Sequence, residues 1–150
     1  MDKAQFDEVF NDYILVIPRL HRRFQSLRLR IAREFDISRN QMDLLSLLFN
    51  SGPIPLTRAA KVLSIVKPNI TLIVNDLEKR NFVERSFDPS DRRLVLICLS
   101  EGGNELRQKL RARYSDQLRP FLAQLPDDEL LQLRQGLKSL DLLVNYMGED

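Results

Sequence analysis

The stretch "FVERSFDPSDRRLVLICLS", from Phe82 to Ser100, constrains the fold more than any other part of the chain. It reads as a short strand, a tight turn at "DPSD" and a second strand rich in Leu, Val and Ile. A two-stranded ribbon of this length is marginal by itself in water, so it must lean on its neighbours. Those neighbours are helical. At the exit of the turn stand Arg92 and Arg93. Such a pair is either a solvated turn or a grip on an anionic partner, because the planar guanidinium suits phosphates and narrow, negative grooves. Cys98 lies among aliphatics in the returning strand and reads as a small hydrophobe.

The segments before the ribbon are punctuated as helices. In "DISRNQMDLL", Ser38 and Gln41 form a capping box, and Ile37 with Met42 forms a hydrophobic staple. That helix ends at "NSGPIP". Thr57 then offers a cap for the short helix "RAAKVL". In "KPNITLIVNDLEKRN", Pro68 suits a first helical turn, and Ile70, Ile73, Val74 and Leu77 make a buried stripe. Asn69, Thr71, Leu72 and Asn75 are left facing outward near the amino end. Short polar side chains at a helix start are common in any protein, but they also reach base edges in a major groove, and Leu72 would suit a thymine methyl.

Long helices flank this middle. Phe6, Phe10, Tyr13, Ile17, Leu20, Phe24, Leu27 and Ile31 alternate steps of four and three, the spacing of a heptad seam. Pro18 predicts a kink or break, and the seam's unchanged phase favours a kink. After the ribbon, Ser100 starts a helix that Pro120 interrupts near its end, and three acids open the last helix from Asp127. There Leu130, Leu133, Leu137, Leu140, Val144 and Met147 repeat the spacing. A seam at each end of the chain predicts that two chains pair through the terminal helices.

Composition narrows the function. With 150 residues, 43% hydrophobic and 29% charged, the chain suits one soluble domain. No long uncharged apolar run is present, so a cytoplasmic protein with no membrane partner is expected. One cysteine and one histidine exclude an internal disulfide and a Cys-based zinc cage, and leave no catalytic grouping, so neither enzyme activity nor a cofactor or metal is expected. Net charge is only +2, but "RLHRRFQSLRLRIAR" is strongly basic and the carboxyl end acidic. The basic run is either a solvated helix face or a surface for phosphates.

Helix, helix, outward-polar helix and ribbon in this order make a winged helix-turn-helix. From about Ile37 to Leu106, "LTRAAKVL", "KPNITLIVNDLEKRNFVER" and "DPSDRRLVLICLS" resemble the MarR family of dimeric transcriptional regulators. Asp91, Arg93 and Leu99, with Ser100 in place of Thr, match that family's wing signature. The resemblance implies a mainly α fold with a small antiparallel β-wing. It implies a single domain over residues 1–150, with 1–35 and 101–147 as dimerisation helices and 37–100 as the winged lobe. It also implies a homodimer on double-stranded DNA, reading a palindromic operator as a repressor and released by a small aromatic or anionic effector. Carried onto matching positions, Lys67, Pro68, Asn69, Thr71, Leu72 and Asn75 would face the major groove. Thr57 and Arg58 would approach phosphates, helped by Lys61, and Asp91, Arg92 and Arg93 would form the wing tip, with Asp91 holding an arginine guanidinium. Phe6, Phe10, Tyr13, Ile17, Leu133, Leu137, Leu140, Val144 and Met147 would join the protomers. His21, Phe24, Arg28 and Met42 would line an effector pocket. Two departures stand out: Val66 replaces the usual polar cap, which would pass the capping place to Lys67, and the helix is poor in charge, with Asp76 close behind. A winged-helix interaction module without DNA affinity is the alternative.

Overall fold

The computed structural model describes residues 2–91 and 93–148. Among them, six helices and three strands follow in the order α1 (Lys3–Glu34), α2 (Arg39–Ser51), β1 (Ile54–Pro55), α3 (Leu56–Val62), α4 (Lys67–Lys79), β2 (Val83–Phe87), β3 (Val95–Leu99), α5 (Glu101–Leu122) and α6 (Asp127–Met147). The fold is mainly helical with a small antiparallel sheet, as expected. The chain divides into two compact units, Met1–Leu110 and Arg111–Asp150.

In the first unit, α1 runs through Pro18 without a break. A proline there removes one helical hydrogen bond, and the residue whose carbonyl loses it, Ile14, is solvent-exposed, where water replaces the partner. The Ser38–Gln41 capping box forms on both sides, and Gly52 closes α2 at φ 72°. Helices α1, α3 and α4 stop without glycine. Asp36, Ser64 and Asn81 adopt φ of 54°, 53° and 57°. At each stop the following amide bonds back to a carbonyl in the last turn, as in Ile37 N–H to the Ala32 carbonyl and Phe82 N–H to the Leu77 carbonyl.

The core forms where α2 and α4 meet the sheet. Leu44, Leu45 and Leu48 of α2, Ile70, Val74 and Leu77 of α4, and Val83 and Ile97 of the strands are all buried. Ile73, expected in that stripe, is half-buried. The ribbon gains a third strand not expected from the sequence. Ile54 and Pro55 pair with Ile97 and Leu96, giving the order β1-β3-β2. This pairing holds the chain extended up to Pro55, so α3 begins at Leu56 with no side-chain cap, and Thr57 lies inside the first turn rather than capping it.

The start of α5 is locked to the turn before β2. The Ser100 hydroxyl donates to the Asn81 carbonyl at 2.5 Å and accepts from the Gly103 amide at 3.1 Å. A Cβ on Gly103 would collide with the Phe82 carbonyl oxygen, so only glycine allows this approach. Further on, α5 passes through Pro120 and ends at Leu122, two residues later than the expected interruption. In the second unit, Ser115, Leu118, Arg119, Leu122, Ala123 and Leu130 line a groove of about 410 Å³. No residue of α6 is buried.

Candidate nucleic-acid interface

The amino end of α4 is open to solvent. Val66 precedes it without a side-chain cap, and Lys67 and Pro68 occupy the first turn, so Lys67 does not take the capping place. Lys67, Pro68 and Asn69 are exposed, and Leu72 is 66% exposed despite being aliphatic. Thr71 and Asn75 are more committed. The Thr71 hydroxyl donates to the Lys67 carbonyl at 2.9 Å. The Asn75 Oδ1 accepts from Arg85 Nη2 at 2.6 Å. Arg85, on β2, also forms an ion pair with Glu78. One guanidinium therefore braces the ribbon against the outer face of α4. The sequence carried no local sign of this, because Arg85 and Asn75 meet only through the fold.

Asp76 is bonded to α2. Gln41 uses its carbonyl oxygen in the capping box and donates through Nε2 to Asp76 Oδ2 at 2.5 Å, tying α2 to α4. Gln41 is itself only 8% exposed, and burying a polar side chain requires such a partner. Asp76 thus ties α4 to α2 while its carboxylate stays exposed. Arg80, also missed, donates to the carbonyls of Asp36 and Phe35 at 2.7 and 3.1 Å and lies over the Phe82 ring. It fixes the carboxyl end of α4 against the end of α1.

Between the end of β2 at Phe87 and the start of β3 at Val95, the connection is longer than the tight turn expected. The Asp88 carboxylate accepts from the Ser90 amide and hydroxyl at 2.7 and 2.5 Å and from the Asp91 amide at 3.2 Å. These bonds, led by the one from the Ser90 hydroxyl, hold its carboxyl below the usual carboxylate range. Asp91 accepts from the backbone N–H of Arg93 at 3.0 Å. The expectation that Asp91 clamps a guanidinium is corrected for Arg93: the carboxylate fixes its main chain, two residues on, as short acidic side chains do in turns. Arg93 is exposed at the tip, and Arg92 lies outside the described residues. On the other face of the ribbon, Cys98 packs beside Glu84 and Ser86 rather than among aliphatics, and burial raises its thiol pKa. Thr57 and Arg58, on α3, are both exposed.

The four residues expected around an effector stand in different surroundings. His21 and Phe24 are exposed on α1, whereas Met42 is 2% exposed in the core. Arg28 is half-buried, and its charge is met by Asp43 at 2.5 Å rather than left open for an anion. Among the described residues, no cluster of His, Cys, Asp or Glu fit to hold a metal ion occurs, and no helix is long and apolar enough to cross a membrane.

The model of the MarR family matches residues 37–95, which take in α2, β1, α3, α4 and β2 and end at the first residue of β3. The helix-turn-helix transcriptional regulator YhbI of Bacillus subtilis is 31% identical over 119 residues, 79% of this chain and 77% of that protein. The chain belongs to the MarR family. Its relatives in that family are transcriptional regulators. Among solved structures, apo MarR from E. coli aligns with 25% identity and a TM-score of 0.66, over 83% of this chain and 93% of that one. The F27L variant of S. aureus MepR, solved bound to an oligodeoxyribonucleotide, aligns over 88% of this chain and 97% of its own with a TM-score of 0.61. At 19% identity the latter speaks for the shared fold.

Proposed function

We propose that this MarR-family protein is a homodimeric repressor of a palindromic operator. Helix α4 of each protomer enters a major groove, and each β2–β3 wing lies over the adjoining minor groove. The observation that carries this reading is the placement of Arg93: exposed on a tip whose backbone two carboxylates hold, on a ribbon braced to the open face of α4. A narrow minor groove concentrates negative potential, so a guanidinium presented there gains more than it does in water. MepR supplies a DNA-bound relative of the same fold. Lys67, Pro68, Asn69 and Leu72 are the bases' nearest readers in this scheme, Thr71 and Asn75 support them, and Thr57 and Arg58 approach the phosphates.

The pairing surfaces follow from exposure. Phe6, Phe10 and Tyr13 of α1, and Leu133, Leu137, Val144 and Met147 of α6, are between 40% and 72% exposed, and Ile17 and Leu140 are half-buried. Apolar surface on this scale asks for a partner, and a second copy supplies the symmetry that a palindrome requires. Effector control belongs to the same reading: a small aromatic acid would seat on exposed His21 and Phe24 and lower operator affinity. The interaction-module alternative draws on the uncharged reading helix and on Asp76; the Gln41–Asp76 bond gives that carboxylate a structural role, and the Asp91, Arg93 pair at the tip speaks against the alternative.

The test is operator binding by Arg93→Ala. Using sequences selected from a random DNA pool, the variant should bind at least ~1 kcal/mol more weakly than the parent. Equal affinities across a salt titration would remove the wing from the mechanism.

A further inference from the structure

We infer that the arginine stripe on the outer face of α1 is a second site for duplex DNA, holding the phosphates of a stretch beyond the half-site that α4 reads. From Arg19 to Arg33 the chain carries six arginines and neither an acidic residue nor a lysine. The helix divides them. Arg28 turns inward to Asp43, beside half-buried Leu27 and buried Ile31 and Ala32. Arg19, Arg22, Arg23 and Arg33 are exposed, and none of these four forms an ion pair among the described residues. At about 100° per residue, Arg19, Ser26 and Arg33 fall almost in line, flanked by Arg22 and Arg23, on the side of α1 away from the packed residues. Arg30 is exposed on the same side with Glu34 one turn on, where opposite charges offset each other, so the other four arginines carry the face.

The kind of cation names the ligand. A planar guanidinium grips phosphate oxygens in pairs, and a stripe of them about 21 Å long suits a backbone rather than a single anion. Phe24 and His21 project from other sides of the helix, so no aromatic ring stands on this face. A single strand needs rings on which its unpaired bases stack, and a membrane surface needs apolar side chains beside the charges. Between Arg19 and Arg33 the line offers only Ser26. A duplex backbone asks for nothing but cations in a row. Toward the amino end the same face turns acidic at Asp12 and Glu8, which bounds the footprint.

This site is separate from the reading surface. Arg80, at the carboxyl end of α4, donates to the carbonyls of Phe35 and Asp36, so the carboxyl end of the stripe sits by that end, about 18 Å of helix from Lys67. The apolar residues proposed for pairing, Phe6 to Ile17, run along the far side of α1 from the arginines. A second copy seated there leaves the stripe open, and a dimer on its operator can hold another stretch of duplex.

The experiment compares the full-length protein with a quadruple variant, Arg19→Gln, Arg22→Gln, Arg23→Gln and Arg33→Gln, in which glutamine keeps the helix and removes the charge. Each protein is saturated with unlabelled operator duplex selected from a random pool, and a labelled duplex of unrelated sequence is then added. The parent should hold both duplexes in one complex. The variant should bind the operator as the parent does but hold the second duplex at least ~10-fold more weakly, with a salt slope shallower by about 0.9 for each arginine engaged. The smaller change, Arg22→Gln with Arg23→Gln, should fall between the two. A parent that binds operator but no second duplex, or a quadruple variant that holds it as well as the parent, overturns this inference alone. Displacement of the second duplex by single-stranded DNA or polyglutamate as readily as by unlabelled duplex overturns the assignment to duplex phosphates. If no operator is selected, the repressor reading falls, and the unrelated duplex added by itself still decides: binding by the parent that the variant loses upholds the stripe, and equal or absent binding overturns it.

Discussion

Single side chains set how closely the parts of the first unit approach. Gly103 is the tightest case, since an added Cβ would run into the Phe82 carbonyl. Main chain has little freedom to yield, so Gly103→Ala is expected to lower stability by at least ~2 kcal/mol, read from a urea midpoint. Gly136, where an added Cβ would meet nothing within 4 Å, is the matched control, and alanine there should be neutral or slightly stabilising. At the wing tip, Asp88 makes order depend on pH. Its folded-state pKa is depressed, so its contribution is complete above the ordinary carboxylate range and is lost as pH falls through the lowered value. The amide resonances of Ser90 and Asp91 should hold their folded positions at neutral pH and move together only below about pH 4. Unchanged resonances in acid would show that the carboxylate is not what orders the tip.

Elements are held in register by contacts of very different legibility. The capping box at Ser38 was readable because its partners are three residues apart and the pattern is purely local. The Arg85 brace was not, because ten residues and a turn separate Arg85 from Asn75, and an arginine in a strand has many possible partners. Thr57 misled for a related reason. Its hydroxyl is a good cap in isolation, but pairing of Ile54 and Pro55 with β3 settles where the chain stops being extended. Asp76 was legible as a charge but not as a partner of Gln41, 35 residues away. The ribbon and α4 should therefore act as one reading unit. Arg85→Ala is expected to weaken operator binding by about 1 kcal/mol while costing less than that in stability, since the Arg85–Glu78 pair is largely exposed. An unchanged affinity would mean that the wing finds its place on DNA without the brace.

At the scale of the whole molecule, two reading units related by a dyad predict half-sites about 34 Å apart, one turn of the duplex. Inserting about five base pairs, half a helical turn, between half-sites would turn them to opposite sides of the helix and should abolish tight binding by the dimer. Binding should also weaken steeply with salt, log K falling against log salt with a slope of about −0.9 for each phosphate contact. A flat response would leave no place for a nucleic-acid partner. The closed loop at the ribbon tip bears on how tightly such a dimer can hold. Asp88 and Asp91 freeze its main chain when the polypeptide folds, so that entropy is already gone before any duplex arrives. With two tips per dimer the saving counts twice, and a protein with little net charge can grip its site through rigidity where a more basic one would rely on attraction.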